Sequence, residues 1–136
     1  MSEAAECVLD ASALLCYDLD EPGAGFVHSA LSRKAAISVV NLAEALSRLS
    51  DLGQHPDAVI RRWTEGGILG RVLLVHALDQ KLARDIAVLR PKTRSLGLSL
   101  ADRACLALAR QLRVPVVTAD RSWRKLHVGV KVQVIR

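Results

Sequence analysis

Aromatic side chains are almost missing: Tyr17, Phe26, Trp63 and Trp123 are all that 136 residues carry. Single-strand binders that stack bases on aromatic platforms need more of them, so that class is set aside and the core falls to Leu, Val and Ala. Cysteine is nearly as scarce. Cys7, Cys16 and Cys105 are odd in number and lack C-x-x-C spacing, which excludes a zinc knuckle and a disulfide scaffold. Each lies in an apolar run and reads as a buried reduced thiol, which points to a reducing cytoplasm. No apolar run approaches the roughly 18 residues of a membrane helix. Near the N-terminus there is no basic segment followed by an apolar stretch, so no export signal is read. The expectation is a cytoplasmic protein with no membrane partner. G-x-G-x-x-G and the P-loop are absent, which removes the common nucleotide-binding folds. With no repeat, low-complexity tract or linker, residues 1–136 read as one domain.

What is present is an excess of basic charge, 19 Lys and Arg against 14 Asp and Glu for a net +5. That balance favours an anionic partner, nucleic acid first. Apolar residues make up 51%, enough for a sizeable core.

The pattern that organises the chain is 98–123, LSLADRACLALARQLRVPVVTADRSW. Ser99 and Asp102 have capping-box spacing at the start of an apolar helix. Arg113 and Pro115 break that helix, and Val114, Val116 and Val117 read as a buried strand. Thr118-Ala119-Asp120 closes the strand. Elsewhere, Cys7-Val8-Leu9 is a strand ending at Asp10, with a helix over 11–17. A turn covers 18–25 and a helix 26–32. Ala36 to Val40 is a strand closed by Asn41, which opens an amphipathic helix with stripe Leu42, Ala45, Leu46 and Leu49. A helix begins at Pro56-Asp57 and runs to Gly66-Gly67. Val72–Val75 is a strand, Asp79 opens a helix, and 91–97 is a basic loop. Val130–Ile135 is the last strand. Alternating strands and helices predict an α/β three-layer sandwich with a five-stranded, mostly parallel sheet.

Four acids stand at one kind of place. Asp10 follows the first strand, Glu44 opens the helix after the second, Asp102 opens the helix entering the fourth, and Asp120 ends that strand. In open α/β sheets the ligand crevice lies outside the carboxyl ends of the strands. Each acid also has a purely structural account. Asp10, Asp102 and Asp120 suit helix caps. Glu44 has capping-box spacing from Asn41 and i, i+4 spacing to Arg48. Asp102 stands beside buried surface with only Arg103 close enough to pair. Asp51, Glu65 and Asp85 read as solvated.

VLDASALL around Asp10, SVVNLAEAL around Glu44, LSLADRACLALA around Asp102 and VPVVTADRSW around Asp120 together resemble the PIN-domain ribonucleases, most nearly the VapC-type toxins of toxin–antitoxin pairs. The resemblance spans essentially the whole chain. It implies a five-stranded parallel sheet and an acidic quartet at Asp10, Glu44, Asp102 and Asp120, with Ser12 and Thr118 as supporting hydroxyls. It further implies metal-dependent endoribonuclease activity, a small antitoxin partner and a homodimer.

Hard cations such as Mg²⁺ or Mn²⁺ prefer carboxylate oxygen, and crowded carboxylates repel until a cation neutralises them. Asp10, Asp102 and Asp120 are the expected ligands, with Glu44 further out positioning water. Ser12 and Thr118 would orient the carboxylates. A bound cation acidifies its water for attack on an RNA phosphodiester. Because an acidic pocket repels RNA, basic side chains must hold the backbone. Arg121, Arg124 and Lys125 are the first candidates, then Arg94 and the pair Arg61-Arg62. Two other readings stay open: a PIN-like scaffold that binds RNA or protein without cutting, and a receiver-type signalling domain. The latter is disfavoured because Asp10 has no adjacent acid and no lysine follows a late strand.

Overall fold

Cys7, Val8 and Leu9 carry no side chain that seeks water, and the short strand they form, β1 (Cys7–Leu9), is buried on both faces. The computed structural model describes residues 4–136. The sequence reading of the extreme N-terminus therefore falls partly on residues 1–3, which lie outside the described residues.

On one side β1 pairs with β2 (Ala35–Ser38), which pairs with β3 (Leu73–His76). On the other it pairs with β4 (Val116–Thr118), which pairs with β5 (Val132–Val134). Every pairing is parallel, and the order is β3-β2-β1-β4-β5. The chain thus builds outward from β1 in one direction and then restarts on its other side. The junction of β1 and β4 is where the order reverses, the place where open α/β sheets leave a crevice.

Alternation along the strands sends residues to two cores. Leu9, Ile37 and Val117 face α1 (Ala11–Asp18), α2 (Ala24–Ser32), α3 (Val39–Asp51) and α4 (Pro56–Glu65). Val8, Ala36 and Val116 face α5 (Gln80–Thr93) and α6 (Leu100–Leu112). This is the three-layer α/β sandwich expected from the sequence. Cys7, Cys16 and Cys105 are free and buried, also as expected.

Local hydrogen bonding moves several boundaries. The β-branched run expected as strand to Val40 stops at Ser38, because Ser38 Oγ accepts from the Asn41 amide and caps α3. A satisfied cap outweighs the strand preference of Val39 and Val40, which become the first helical turn. Asn41 is therefore not the cap, and Glu44 lies in the second turn rather than at a capping-box position. The loop expected at 91–97 is instead the end of α5 followed by a 3₁₀ turn at Arg94–Leu96. Buried Leu89 and Thr93 hold that last turn on the core, and Thr93 Oγ1 donates to the Leu89 carbonyl at 2.8 Å. Before β4, Arg113 takes a left-handed conformation (φ 59°) and the Val114 amide returns to Ala109 of α6, so the strand starts only at Val116. β3 is shifted by one residue from 72–75, and β5 is shorter than 130–135. Among the described residues no helix is long and apolar enough to cross a membrane.

One polar clamp joins the helices on the first face. The Asp18 side chain, only 6% exposed at the end of α1, accepts from Trp63 Nε1 at 2.8 Å and Arg62 Nη1 at 2.7 Å. Burial pushes its carboxyl up, but the Arg62 and Trp63 hydrogen bonds and the Arg62 charge outweigh that and leave it below the usual aspartate range. A carboxyl so depressed adds stability above its unfolded pKa, and that stability is lost as pH falls through the folded value. Asp18→Asn is expected to cost about 1–2 kcal/mol at neutral pH. Urea unfolding of both proteins should show the difference shrinking in acid.

Candidate active site

Asp10 leaves the end of β1 and begins α1 as its N-cap, accepting from the Ala13 amide at 2.8 Å. A lone cap would stop there. This carboxylate also takes a hydrogen bond on each oxygen from a hydroxyl: Ser12 Oγ donates to Oδ1 at 2.7 Å and Thr118 Oγ1 to Oδ2 at 2.5 Å. Both hydroxyls are aimed by the backbone leaving β4. The Ala119 amide donates to Ser12 Oγ at 2.9 Å and the Asp120 amide to Thr118 Oγ1 at 3.1 Å. With their lone pairs engaged by N–H groups, the two hydroxyls keep their protons for Asp10. The supporting role expected of Ser12 and Thr118 thus has a geometry, and it lies across the β1–β4 junction.

Asp10 is 5% exposed and forms no ion pair among the described residues. Burial raises its pKa to about 6, against the hydrogen bonds from Thr118, Ser12 and Ala13, with the Asp102 charge adding to the rise. Glu44 is raised likewise, by burial, while Arg48 lowers it and Asp102 raises it. Its Oε2 stands 4.0 Å from Arg48 Nη2, the i, i+4 pair read from the sequence. Asp102 is therefore the acid whose charge reaches both others. The Cys105 thiol, fully buried one turn into α6, is pushed well up by burial and then by Asp10, Asp102 and Glu44. Asp10 and Glu44 thus each feel the Asp102 charge, and Cys105 feels all three.

Asp102 does form the expected capping box, with the Ser99 amide on Oδ2 at 3.0 Å and its own amide on Ser99 Oγ. Arg103 does not turn back to it and donates to the Ile86 carbonyl instead. Asp120 caps the 3₁₀ turn Arg121–Lys125, its Oδ1 accepting from Ser122 N and Oγ. It is exposed, and its carboxylate is turned to Ser122. In both Asp102 and Asp120 one oxygen is spent on the cap, and the other has no hydrogen bond among the described residues.

The donors are hard carboxylate oxygens with open valences around a buried, unpaired anion, which suits Mg²⁺ or Mn²⁺ rather than a soft metal. Among the described residues no three His, Cys, Asp or Glu side chains form a ready metal cage. The fit is to an ion that keeps several waters and takes one or two carboxylates directly.

Of the basic candidates, Arg94, Arg124 and Lys125 are exposed. Arg121 Nε is bound to the Arg136 carbonyl at 2.9 Å. Arg61 is exposed, whereas Arg62 is committed to Asp18 and Gln54. Sequence reasoning missed Arg48 and Arg136. With Ser12, Leu15, Leu52 and the acids Glu21 and Asp51 they line a cleft of about 440 Å³, where Arg136 pairs with Glu21 and Arg48 with Glu44. It also misread Asn41, which is wholly buried between α3 and α6. Spacing from Glu44 was the one available signal, and it pointed to a cap.

The PIN-domain family model matches residues 7–128. The chain belongs to the PIN-domain family. The receiver-type alternative is thereby set aside. PIN domains of the same build occur among solved structures. DNA-bound VapBC from Salmonella typhimurium is similar with a TM-score of 0.72 at 17% identity, covering 98% of this chain and 100% of that one. A toxin–antitoxin complex from Klebsiella pneumoniae gives 0.68 at 17%, covering 92% and 98%. VapC20 from Mycobacterium tuberculosis, a Sarcin-Ricin loop cleaving toxin, gives 0.66 at 15%, covering 92% and 98%. A comparison with curated proteins finds no match.

The raised Asp10 pKa has a direct consequence. A carboxyl held above its unfolded value contributes stability below that value and loses it as pH rises through the folded one, here near 6. In chelator, the PIN domain should be more stable at about pH 5 than at about pH 7 by this contribution. Asp10→Asn should gain about 1–3 kcal/mol at neutral pH and flatten the profile. Denaturant unfolding at the two pH values checks both.

Proposed function

We propose that the chain is a Mg²⁺- or Mn²⁺-dependent endoribonuclease acting as the toxin of a toxin–antitoxin pair. The observation that carries this reading is the buried Asp10 carboxylate, without a cationic partner, coupled through Asp102 to Glu44 from a third element. A structural acid set would be paired with Lys or Arg, because an uncompensated buried charge is costly. Support also comes from solved structures of the same fold, one a toxin–antitoxin complex and another a Sarcin-Ricin loop cleaving toxin.

Asp10 and Asp102 would hold the cation, with Asp120 joining once it turns from Ser122, and Glu44 would position water. When bound, the cation supplies an acidified water and offsets charge on the scissile phosphate. Ser12 and Thr118 keep Asp10 deprotonated and fixed in direction by donating to both oxygens. Arg94, Arg121, Arg124 and Lys125 would hold the RNA backbone, with Arg48 and Arg136 along the cleft beside Ser12. The partners proposed are RNA, a small antitoxin and a second copy of the chain, all in the cytoplasm.

A non-cutting PIN scaffold is the second reading, favoured by the engagement of Asp102 and Asp120 with their own helix starts. Purified protein freed of antitoxin, incubated with structured RNA, separates the two. Cleavage should require Mg²⁺ or Mn²⁺ and vanish in Asp10→Asn and Asp102→Asn. Thr118→Val should lower it by roughly 10–100-fold. RNA left intact under every metal condition would favour the scaffold.

A further inference from the structure

Asn41 is 0% exposed, yet its side chain is not spent within its own helix. Its Oδ1 accepts from Ser38 Oγ, and its Nδ2 crosses to α6 and donates to the Ala101 carbonyl at 3.0 Å. The contrast is Thr93, also buried, whose hydroxyl bonds only to carbonyls of its own helix. Asn41 lies one turn before Glu44 on α3, and Ala101 immediately precedes Asp102 on α6. The hydrogen bond therefore ties together the two helix starts that carry these acids. Glu44 and Asp102 repel each other, as the Asp102 charge on Glu44 records. Among the described residues Asp102 has no basic partner: Arg48 pairs with Glu44 at 4.0 Å, and Arg103 turns to Ile86.

Two like charges on separate helices drift apart unless something holds their backbones. A neutral amide is suited to this. It supplies a donor to a carbonyl and an acceptor to a hydroxyl, adds no charge and satisfies both ends in a place closed to water. An aspartate there would lose the donor and add a buried negative charge.

We infer that Asn41 is a positioning residue, which sets the separation of Glu44 and Asp102 through its hydrogen bond to Ala101 and so tunes cation capture. This rests on the metal-dependent reading of the site. Its test uses Mn²⁺ binding by the metal-free protein, measured calorimetrically, together with amide exchange at residues 100–104. Asn41→Ala cuts the tie, and Asn41→Leu cuts it while keeping side-chain volume, so at least one is expected to fold. Asp18→Asn weakens the clamp between α1 and α4 and leaves Ser38, Asn41 and Ala101 untouched.

Both Asn41 variants should bind Mn²⁺ roughly tenfold more weakly, with faster exchange confined to the start of α6. Asp18→Asn should melt earlier yet keep wild-type affinity. Asn41 variants that bind as the wild type does, or an Asp18→Asn protein that loses as much affinity as they do, would overturn the inference and leave the metal site standing. Wild-type protein that takes up no Mn²⁺ would overturn the metal reading and this inference with it.

Discussion

A carboxylate held out of water by two hydroxyls, each aimed by a backbone amide from the neighbouring strand, is the constraint on which the rest of this PIN domain depends. Asp10 sits at the end of the central strand, and the Ala119 and Asp120 amides act on it through Ser12 and Thr118. The relay works only because β1 and β4 are parallel neighbours in register, Leu9 beside Val117. The sheet order supplies the crevice, and the relay fills its floor with fixed negative charge. Burial makes that charge costly, and on the proposed reading this cost is what would favour a cation there.

Capping and ligation are often weighed as rival accounts of an acid at a helix start. On the proposed metal-dependent reading the two roles would fall to the same residues. Asp102 gives one oxygen to the Ser99 amide, and Asp120 gives one to Ser122. A carboxylate has two oxygens, so the cap fixes the group while leaving an open site beyond it. The cap is the device that orients the remaining oxygen. Asp10 differs, since both its oxygens are already hydrogen-bonded, and on the proposed metal-dependent reading it would ligate through second lone pairs.

The layers and the identity of the strands were legible because apolar runs with Gly, Pro and acid punctuation leave few alternatives. The acids could be found in sequence because each follows a strand or opens a helix. What could not be read was set by competition between neighbours. Val39 and Val40 look like strand, and only the Ser38–Asn41 hydrogen bond makes them helix. Pro91 looks like a helix end, and only the burial of Leu89 and Thr93 carries α5 past it. The side-chain direction of Asp120 and the capture of Arg62 by Asp18 depend on partners far along the chain or on local rotamers, and no spacing rule encodes either. Asn41 was misread for the same reason, since its partner at Ala101 is 60 residues away.

Cys105 lies directly beneath the acids, fully buried, with a thiol that burial and three neighbouring carboxylates keep protonated. Cys7 and Cys16 are buried and raised as well. Since the thiolate is the reactive form, all three sulfurs are silent toward alkylating reagents while the chain is closed. Any labelling of Cys105 then clocks the opening of the floor under the acidic crevice, an intrinsic reporter that the sequence already carries.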